Sequence, residues 1–466
     1  EVTSIELSNN QKSLNIGDLC VSFAKELGLP YRQEPCNNVV IWKKASPGCE
    51  NAAPIILQGH TDMVCAKTDD CTKDMTREGL DLVTDGEWVW ADKTSLGGDN
   101  CIAVAMIFAI LADDTLVHPP IEAVLTVDEE VGMDGAFALD CSDIKGRKLL
   151  NLDSELEGVF TVSCAGGLHS DCFLPAESTP VSGMDVFSLT VAGLQGGHSG
   201  ADIHLGRGSG NRLMGRTLCT ALEKFPGLRL VKFAGGQFDN VICSRCDAVV
   251  ALPAGTGDDF AAFIREFDGV LKNEYAVTDP GVTLTCTAAS ADTAVSAERT
   301  ATLLRTLVAL PQGVEAMDTD FPGLVQTSLN MGVTKLDETG LRIRFSIRSS
   351  IASRKMMLAQ RVRAVITLAG GTVTEGGVYP GWQYKRESQF RDTLLAAYKD
   401  LTGKDGVVEA THGGLECGLL MEKLPGLDAV SVGPDLFDVH SVRERLNVAS
   451  TERTYALVCE LLRRSV

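Results

Sequence analysis

The chain has 466 residues, 44% hydrophobic and 22% charged, a globular composition too long for one ordinary core, so two domains are expected. Its 42 Lys and Arg against 62 Asp and Glu leave a net charge of −20, which argues against nucleic acid or an anionic membrane as partner, because both are recognised by clustered basic residues. No apolar run reaches membrane-spanning length, the first residues lack a signal-type apolar core, and 15 cysteines, an odd number spread through apolar runs, read as free thiols in a reducing cytoplasm.

Up to residue 182, short β-rich runs alternate with helical patterns. Residues 39–42, 55–58, 121–128 and 148–153 read as strands, and 16–27 and 98–112 as helices. The apolar runs are continuous rather than alternating, which predicts an α/β domain with a mostly parallel central sheet covered on both faces. From 183 to 381 the texture becomes α+β. Strands are expected at 186–192, 241–252 and 282–287, with helices at 209–224 and 258–272. A second round follows, with a helix at 297–308, strands at 324–333 and 341–349, a helix at 353–368 and a strand at 372–375. The segment reads as two related halves without a sequence repeat. From 382 to 466 the covered-sheet texture returns, with helices at 388–401 and 451–464 and strands at 406–410 and 429–432.

Acids and histidines stand where the first-domain strands break into polar tips. PIILQGHTDMV supplies His60 and Asp62, TSLGGDNCIAVAM supplies Asp99, IEAVLTVDEEVGMDG supplies Glu129 and Glu130, and KLLNLDSE supplies Asp153. A desolvated carboxylate needs a partner, and four such ends imply a shared cation. Two cations about 3.5–4 Å apart need a bridging carboxylate with terminal His and carboxylate ligands. Asp99 is the expected bridge, because it follows two glycines and opens a helix. His60 and Asp153 then complete one metal, and Glu130 and His440 the other. Asp62 is placed to orient the His60 imidazole. Adjacent residues at a strand end point different ways, so Glu130 can bind metal while Glu129 faces a metal-held water as general base. This is the equipment of amide hydrolysis. Singly, each acid reads as a surface or capping residue. Asp99 could cap its helix, and His440 could be a structural histidine. If His440 joins the other five, residues 183–381 are an insertion in the first domain.

The strings GHTDMV, GGDN, TVDEEVGMDGA, NLDSE, GLQGGHSGADIHLGRGSGN, THGGLECGL and SVGP-x5-H-S-x-R-E resemble the M20 family of di-zinc metallopeptidases, most of all its aminoacyl-histidine (Xaa-His) dipeptidase branch. The resemblance runs from about residue 36 to the C-terminus. It implies a zinc-exopeptidase-like catalytic domain with an inserted lid and dimerisation-type domain, which admits a homodimer. It assigns His60, Asp99, Glu130, Asp153 and His440 as metal ligands and Glu129 as base. It also makes Asp99–Asn100 a candidate cis peptide. The chain departs from the family in two places. An initial I-P-x-x-S-G-x-E segment is missing from residues 1–20, and Cys101 stands where glycine is common.

On the substrate side, a glycine-flanked His198 could simply fill a turn, but the family motif implies an oxyanion donor from the lid. Arg342, Arg344 and Arg348 share one strand face and could form a solvated basic surface. The resemblance selects Arg348 as bidentate anchor for the substrate carboxylate, assisted by Asn240. Glu416 either holds the free ammonium of a dipeptide or is a surface carboxylate, with His412 nearby. His118, His169 and His204 read as loop or structural residues. Gly206–Gly210 lacks the G-K-[ST] of a phosphate loop, and the C-S-R-C of Cys243 and Cys246 has no second pair to make a zinc site.

The sequence thus predicts hydrolysis of dipeptides with a free amino end by two Zn²⁺, with Co²⁺ or Mn²⁺ as substitutes. The rivals are another M20 activity, tripeptidase or N-acyl amino acid deacylase, and a non-catalytic metal-binding protein, against which Glu129 speaks.

Overall fold

The computed structural model describes residues 10–75 and 77–466, with the backbone alone over 10–15. Contacts divide the chain into two compact units, one comprising 1–164, 384–410 and 415–466, the other 165–383 and 411–414. The first division falls at 164/165 rather than at 182/183. The reason is the strand Gly166–Pro175, which pairs along its whole length with Gly340–Ser349 of the inserted unit. The missing family segment expected over 1–20 lies partly outside the described residues. From Asn10 a helix runs to Glu26.

The first unit is built on an eight-stranded sheet. Its order is Tyr31–Gln33, Val39–Lys43, Ile121–Thr126, Ile55–His60, Lys148–Asn151, Asp428–Ser431, Val159–Cys164 and Val407–Thr411. The strands from Ile121–Thr126 to Asp428–Ser431 run parallel, and antiparallel pairings flank them, so the sheet is mixed with a parallel centre. Every residue of Ile55–His60 and Ile121–Thr126 is buried, as their unbroken apolar runs require when both faces are covered. The helix Gly98–Ala112 packs against Ile55–His60. Its predicted bounds match, but Asp99 and Asn100 are non-helical within it, and the Asp99–Asn100 peptide is cis. A separate four-stranded sheet joins Leu82–Thr84, Trp88–Ala91, Arg445–Asn447 and Leu436–Phe437. Its strands are too short to show alternation in the sequence.

The inserted unit is a nine-stranded sheet with helices Gly210–Lys224, Gly257–Glu274, Ala297–Ala309 and Ala352–Leu368. All its recorded ladders are antiparallel. Two halves meet where Arg229–Gly235 pairs Val325–Leu336 through only Ala234↔Lys335 and Gly235↔Thr334. The expected strand 241–252 begins only at Cys246. Residues 241–245 form a loop, because Val241 bridges His198 and the Ile242 N–H donates to the Gly197 carbonyl. Among the described residues, no helix is long and apolar enough to cross a membrane.

Candidate active site

Three neighbouring parallel strands bring the first candidates together. His60 lies opposite Thr126 and Gln58 opposite Asn151, so the strands end in register. His60 closes one strand, Glu129 and Glu130 follow the second, and Asp153 follows the third. Side chains beyond the carboxyl ends of parallel strands are the usual place for a site in such a sheet. Asp99 reaches the same place from the start of its helix. Its Oδ1 is 3.0 Å from His60 Nε2, and its Oδ2 is 3.2 Å from His440 Nε2. Asp153 Oδ1 lies 3.4 Å from His60 Nε2, and Glu130 Oε1 2.9 Å from His440 Nε2. All five side chains belong to the first unit.

His60 Nδ1–H donates to the Asp62 carbonyl at 3.0 Å, since a carbonyl can only accept. That leaves Nε2 as a lone pair facing the oxygens of Asp99 and Asp153, all of them acceptors. Atoms of His60, Asp99 and Glu130 lie within 4.8 Å of one another. A cation satisfies such a set, and imidazole with carboxylates suits zinc. Without one, protons must do so. Burial works against protonated His60, but Asp153, Asp62 and Asp99 outweigh it and hold the imidazolium well above its ordinary range. Burial pushes the Asp153 carboxyl up to about 7, and hydrogen bonds to Asp99 and Glu130 raise His440 to about 10. Burial, with Asp153 and Glu416 adding to it, raises Glu129 well above the carboxylate range. A carboxyl tuned upward suits a general base that must hold and release a proton.

Asp62 faces His60, its Oδ1 3.4 Å from Nδ1, and reaches further. Its carboxylate accepts the backbone N–H of both Glu129 and Glu130 at 3.1 Å, while its own backbone carbonyl orients His60. The loop carrying these glutamates is held from behind as well. Asn38 accepts the Val127 N–H and donates to the Gly135 carbonyl, and the buried Glu34 accepts from Asn38 Nδ2 at 2.7 Å. A Cβ on Gly135 would meet the Val127 carbonyl oxygen at 2.2 Å, so only glycine closes this loop. Asn100 ties the Asp99 turn to the sheet by accepting the His60 N–H and donating to the Leu152 carbonyl. Sequence reading missed Glu34, Asn38 and the work of Asn100. The only available signal was polar residues at the mouths of apolar strands.

Glu416 lies in the first unit, at the start of the helix Glu416–Lys423. It is fully buried, not a surface carboxylate, and its Oε2 accepts from Gln58 Nε2 at 2.6 Å and from the Thr126 hydroxyl at 2.7 Å. Burial raises its carboxyl to about 7.

The remaining candidates lie in the inserted unit. His198 Nδ1 accepts the N–H of Ala201 at 3.1 Å and of Gly200 at 3.3 Å, so neutral His198 carries its proton on Nε2. Burial and nearby Arg348 lower its pKa. Arg342 pairs with Asp337, and Arg344 with Asp171 and Asp239. Arg348, by contrast, has no carboxylate partner among the described residues. It donates to the Tyr379 hydroxyl at 3.3 Å, and its Nε is buried without a partner. Asn240 is exposed, and its carbonyl accepts the Ser199 N–H. Buried His412 is pushed down to about 3 by burial and Arg348, with Ser328 Oγ 2.8 Å from its Nε2.

The model of peptidase family M20/M25/M40 matches residues 56–464. A cytosol non-specific dipeptidase of Escherichia coli (strain K12) is 37% identical over 451 residues, 96% of this chain and 93% of the relative. The crystal structure of an aminoacylhistidine dipeptidase from Vibrio alginolyticus superimposes with a TM-score of 0.91 at 36% identity, covering 99% of this chain and 94% of that one. An aminopeptidase of Bacillus cereus shares the fold at 14% identity, with a TM-score of 0.54 over 98% of this chain and 99% of its own.

Proposed function

This chain belongs to peptidase family M20/M25/M40 and is a metallopeptidase, and we propose that it works as a dipeptidase on substrates with a free amino end, aminoacyl-histidine and β-alanyl-histidine among them. The observation that carries the reading is the convergence of His60, Asp99, Glu130, Asp153 and His440 beside a glutamate, Glu129, whose proton affinity burial has raised.

In this reading His60 and Asp153 would hold one cation and Glu130 and His440 a second, with Asp99 shared between the two sets. Zinc is favoured by the donor set, with Co²⁺ or Mn²⁺ as substitutes. The bound pair supplies Lewis-acid polarisation of the scissile carbonyl and acidifies water. Glu129 takes a proton from the attacking water and delivers it to the leaving amine. Asp62 fixes both glutamates through their amides, so base and ligand keep their separate directions. Gln58, Thr126 and the buried Glu416 form a polar floor under the strand ends. The inserted unit supplies the substrate-side groups. His198 presents Nε2–H as oxyanion donor, Arg348 holds the C-terminal carboxylate, and Asn240 assists. The residue divisions 1–182, 183–381 and 382–466 correspond in role to catalytic, lid and catalytic segments, with the boundaries moved as described above. A cytoplasmic setting and pairing of two copies belong to the same reading, the first supported by the cytosolic relative.

The test is steady-state cleavage by zinc-loaded protein of β-Ala-His, Ala-His, Ala-Ala, a tripeptide and an N-acetyl amino acid. Cleavage of the free-amine dipeptides, abolished by chelator and restored by zinc, is expected. Activity on the N-acetyl compound alone, or on the tripeptide alone, would replace this reading with another activity of the family.

A further inference from the structure

Glu444 is 2% exposed and lies four residues beyond His440. Its Oε2 accepts the backbone N–H of Leu96 at 2.8 Å and of Gly97 at 2.9 Å, and its Oε1 accepts that of Asp99 at 3.3 Å. A carboxylate taken out of water at this cost is retained only where its lone pairs are filled, and here backbone amides fill them. Those amides all belong to the turn that presents Asp99.

The same turn is packed against the hairpin from which Glu444 projects. Leu96 joins Ala91, Leu436 and Leu446 in a small apolar cluster, with Val439 against it. A Cβ on Gly98 would stand 2.7 Å from Leu436 Cδ1 and 3.4 Å from Glu444 Oε1, so the two segments touch at the foot of Asp99. His440 sits at the tip of this hairpin, between Leu436–Phe437 and Arg445–Asn447, with φ of 60°. A non-glycine residue in that region persists only when its surroundings fix it. His60 closes a paired strand of the parallel sheet and Asp153 follows another by two residues, so neither hangs on the hairpin.

We propose that Glu444 is a positioning residue that locks the turn bearing Asp99 to the hairpin bearing His440, setting the bridging ligand and the terminal histidine in one geometry. The inference rests on the two-metal reading. It gives Glu444 no contact with metal or substrate and places its larger effect on one ion, because Asp99 serves both ions and His440 only one. The ion held by Glu130 and His440 depends on the hairpin, and the ion held by His60 and Asp153 much less.

The experiment compares zinc affinity, by competition with a chromogenic chelator, in the full-length chain and in Glu444→Gln, with folding at the assay temperature checked by circular dichroism. Glutamine keeps the size but turns an N–H₂ toward backbone donors. The expected result is an affinity loss of about 10–100-fold for one of two ions, as for other groups that orient ligands. At saturating zinc, kcat falls while KM holds. Gly98→Ala strains the same junction from the other side and should weaken the same ion, which keeps the test alive should Glu444→Gln not fold. Arg443→Ala, at a side chain 77% exposed, should bind both ions as wild type does. A folded Glu444→Gln chain that holds both ions with wild-type affinity overturns the inference, as does an equal loss in Arg443→Ala. A wild-type chain that takes up fewer than two ions overturns the metal reading itself, and this inference with it.

Discussion

Asp62 and Glu129 are joined through a side chain and an amide: Oδ1 of Asp62 accepts the Glu129 N–H at 3.1 Å, and Oδ2 accepts that of Glu130 at the same distance. One carboxylate therefore sets the direction of two neighbouring glutamates with different tasks. In Asp62→Asn one of these amides meets an N–H₂ donor instead of an acceptor. The expected outcome is a kcat lower by about 10–100-fold in a protein that still folds, the usual cost of losing a group that orients ligands. Steady-state kinetics beside a circular dichroism spectrum checks it. Unchanged kcat would mean that the loop needs no such clamp.

Glu129 is the group without which the proposed chemistry stops. Glu129→Gln should lower kcat by about 10²–10⁴-fold, the range for loss of a general base, with metal content close to wild type. Metal analysis and kinetics on the same sample decide between base and ligand. Loss of metal in parallel with activity would move Glu129 into the ligand set.

Metal uptake should depend on pH with a definite sign. His60 and His440 hold their protons above the ordinary histidine range, and Asp153 titrates at about 7 instead of near 4. In each case the metal-free folded site favours the protonated form, and a cation must displace that proton. Apparent zinc affinity therefore falls as pH drops from 8 to 6, about tenfold per pH unit for each proton displaced. Calorimetry in buffers of different ionisation enthalpy should show protons released on binding. Affinity that rises toward pH 6 would contradict the site.

His198 and Arg348 should separate in kinetics. His198→Ala removes a neutral donor and should lower kcat by about 10²–10³-fold, as for other oxyanion donors. Arg348→Lys keeps the charge but loses the fork that matches a carboxylate. Hydrogen bonds to a charged group contribute about 1.5–3 kcal/mol, so KM should rise by roughly 10–100-fold with a smaller change in kcat. A dipeptide amide, lacking the carboxylate, should distinguish wild type from Arg348→Lys poorly. Equal sensitivity of amide and free acid would remove Arg348 from that role.

The chain's own order of residues determined the central sheet and singled out the candidate ligand set. Unbroken apolar runs such as IILQGH and IEAVLT can only be strands buried on both faces, and acids at their ends are intelligible only with a partner. These are local patterns, readable within a dozen residues. Tertiary structure decided what depends on distant segments. The strand Gly166–Pro175 joins the inserted sheet because its partner Gly340–Ser349 is there, and nothing in its own composition says so. Glu416 reads either as an ammonium partner or as a surface acid until Gln58 and Thr126, hundreds of residues earlier, are seen to enclose it. Glu444 is one acid among many until the amides of Leu96, Gly97 and Asp99 close on it. A side chain's chemistry is written in the sequence. Its desolvation and its hydrogen-bond partners come from chain segments brought together only by folding, and these fix whether it binds, braces or merely faces water.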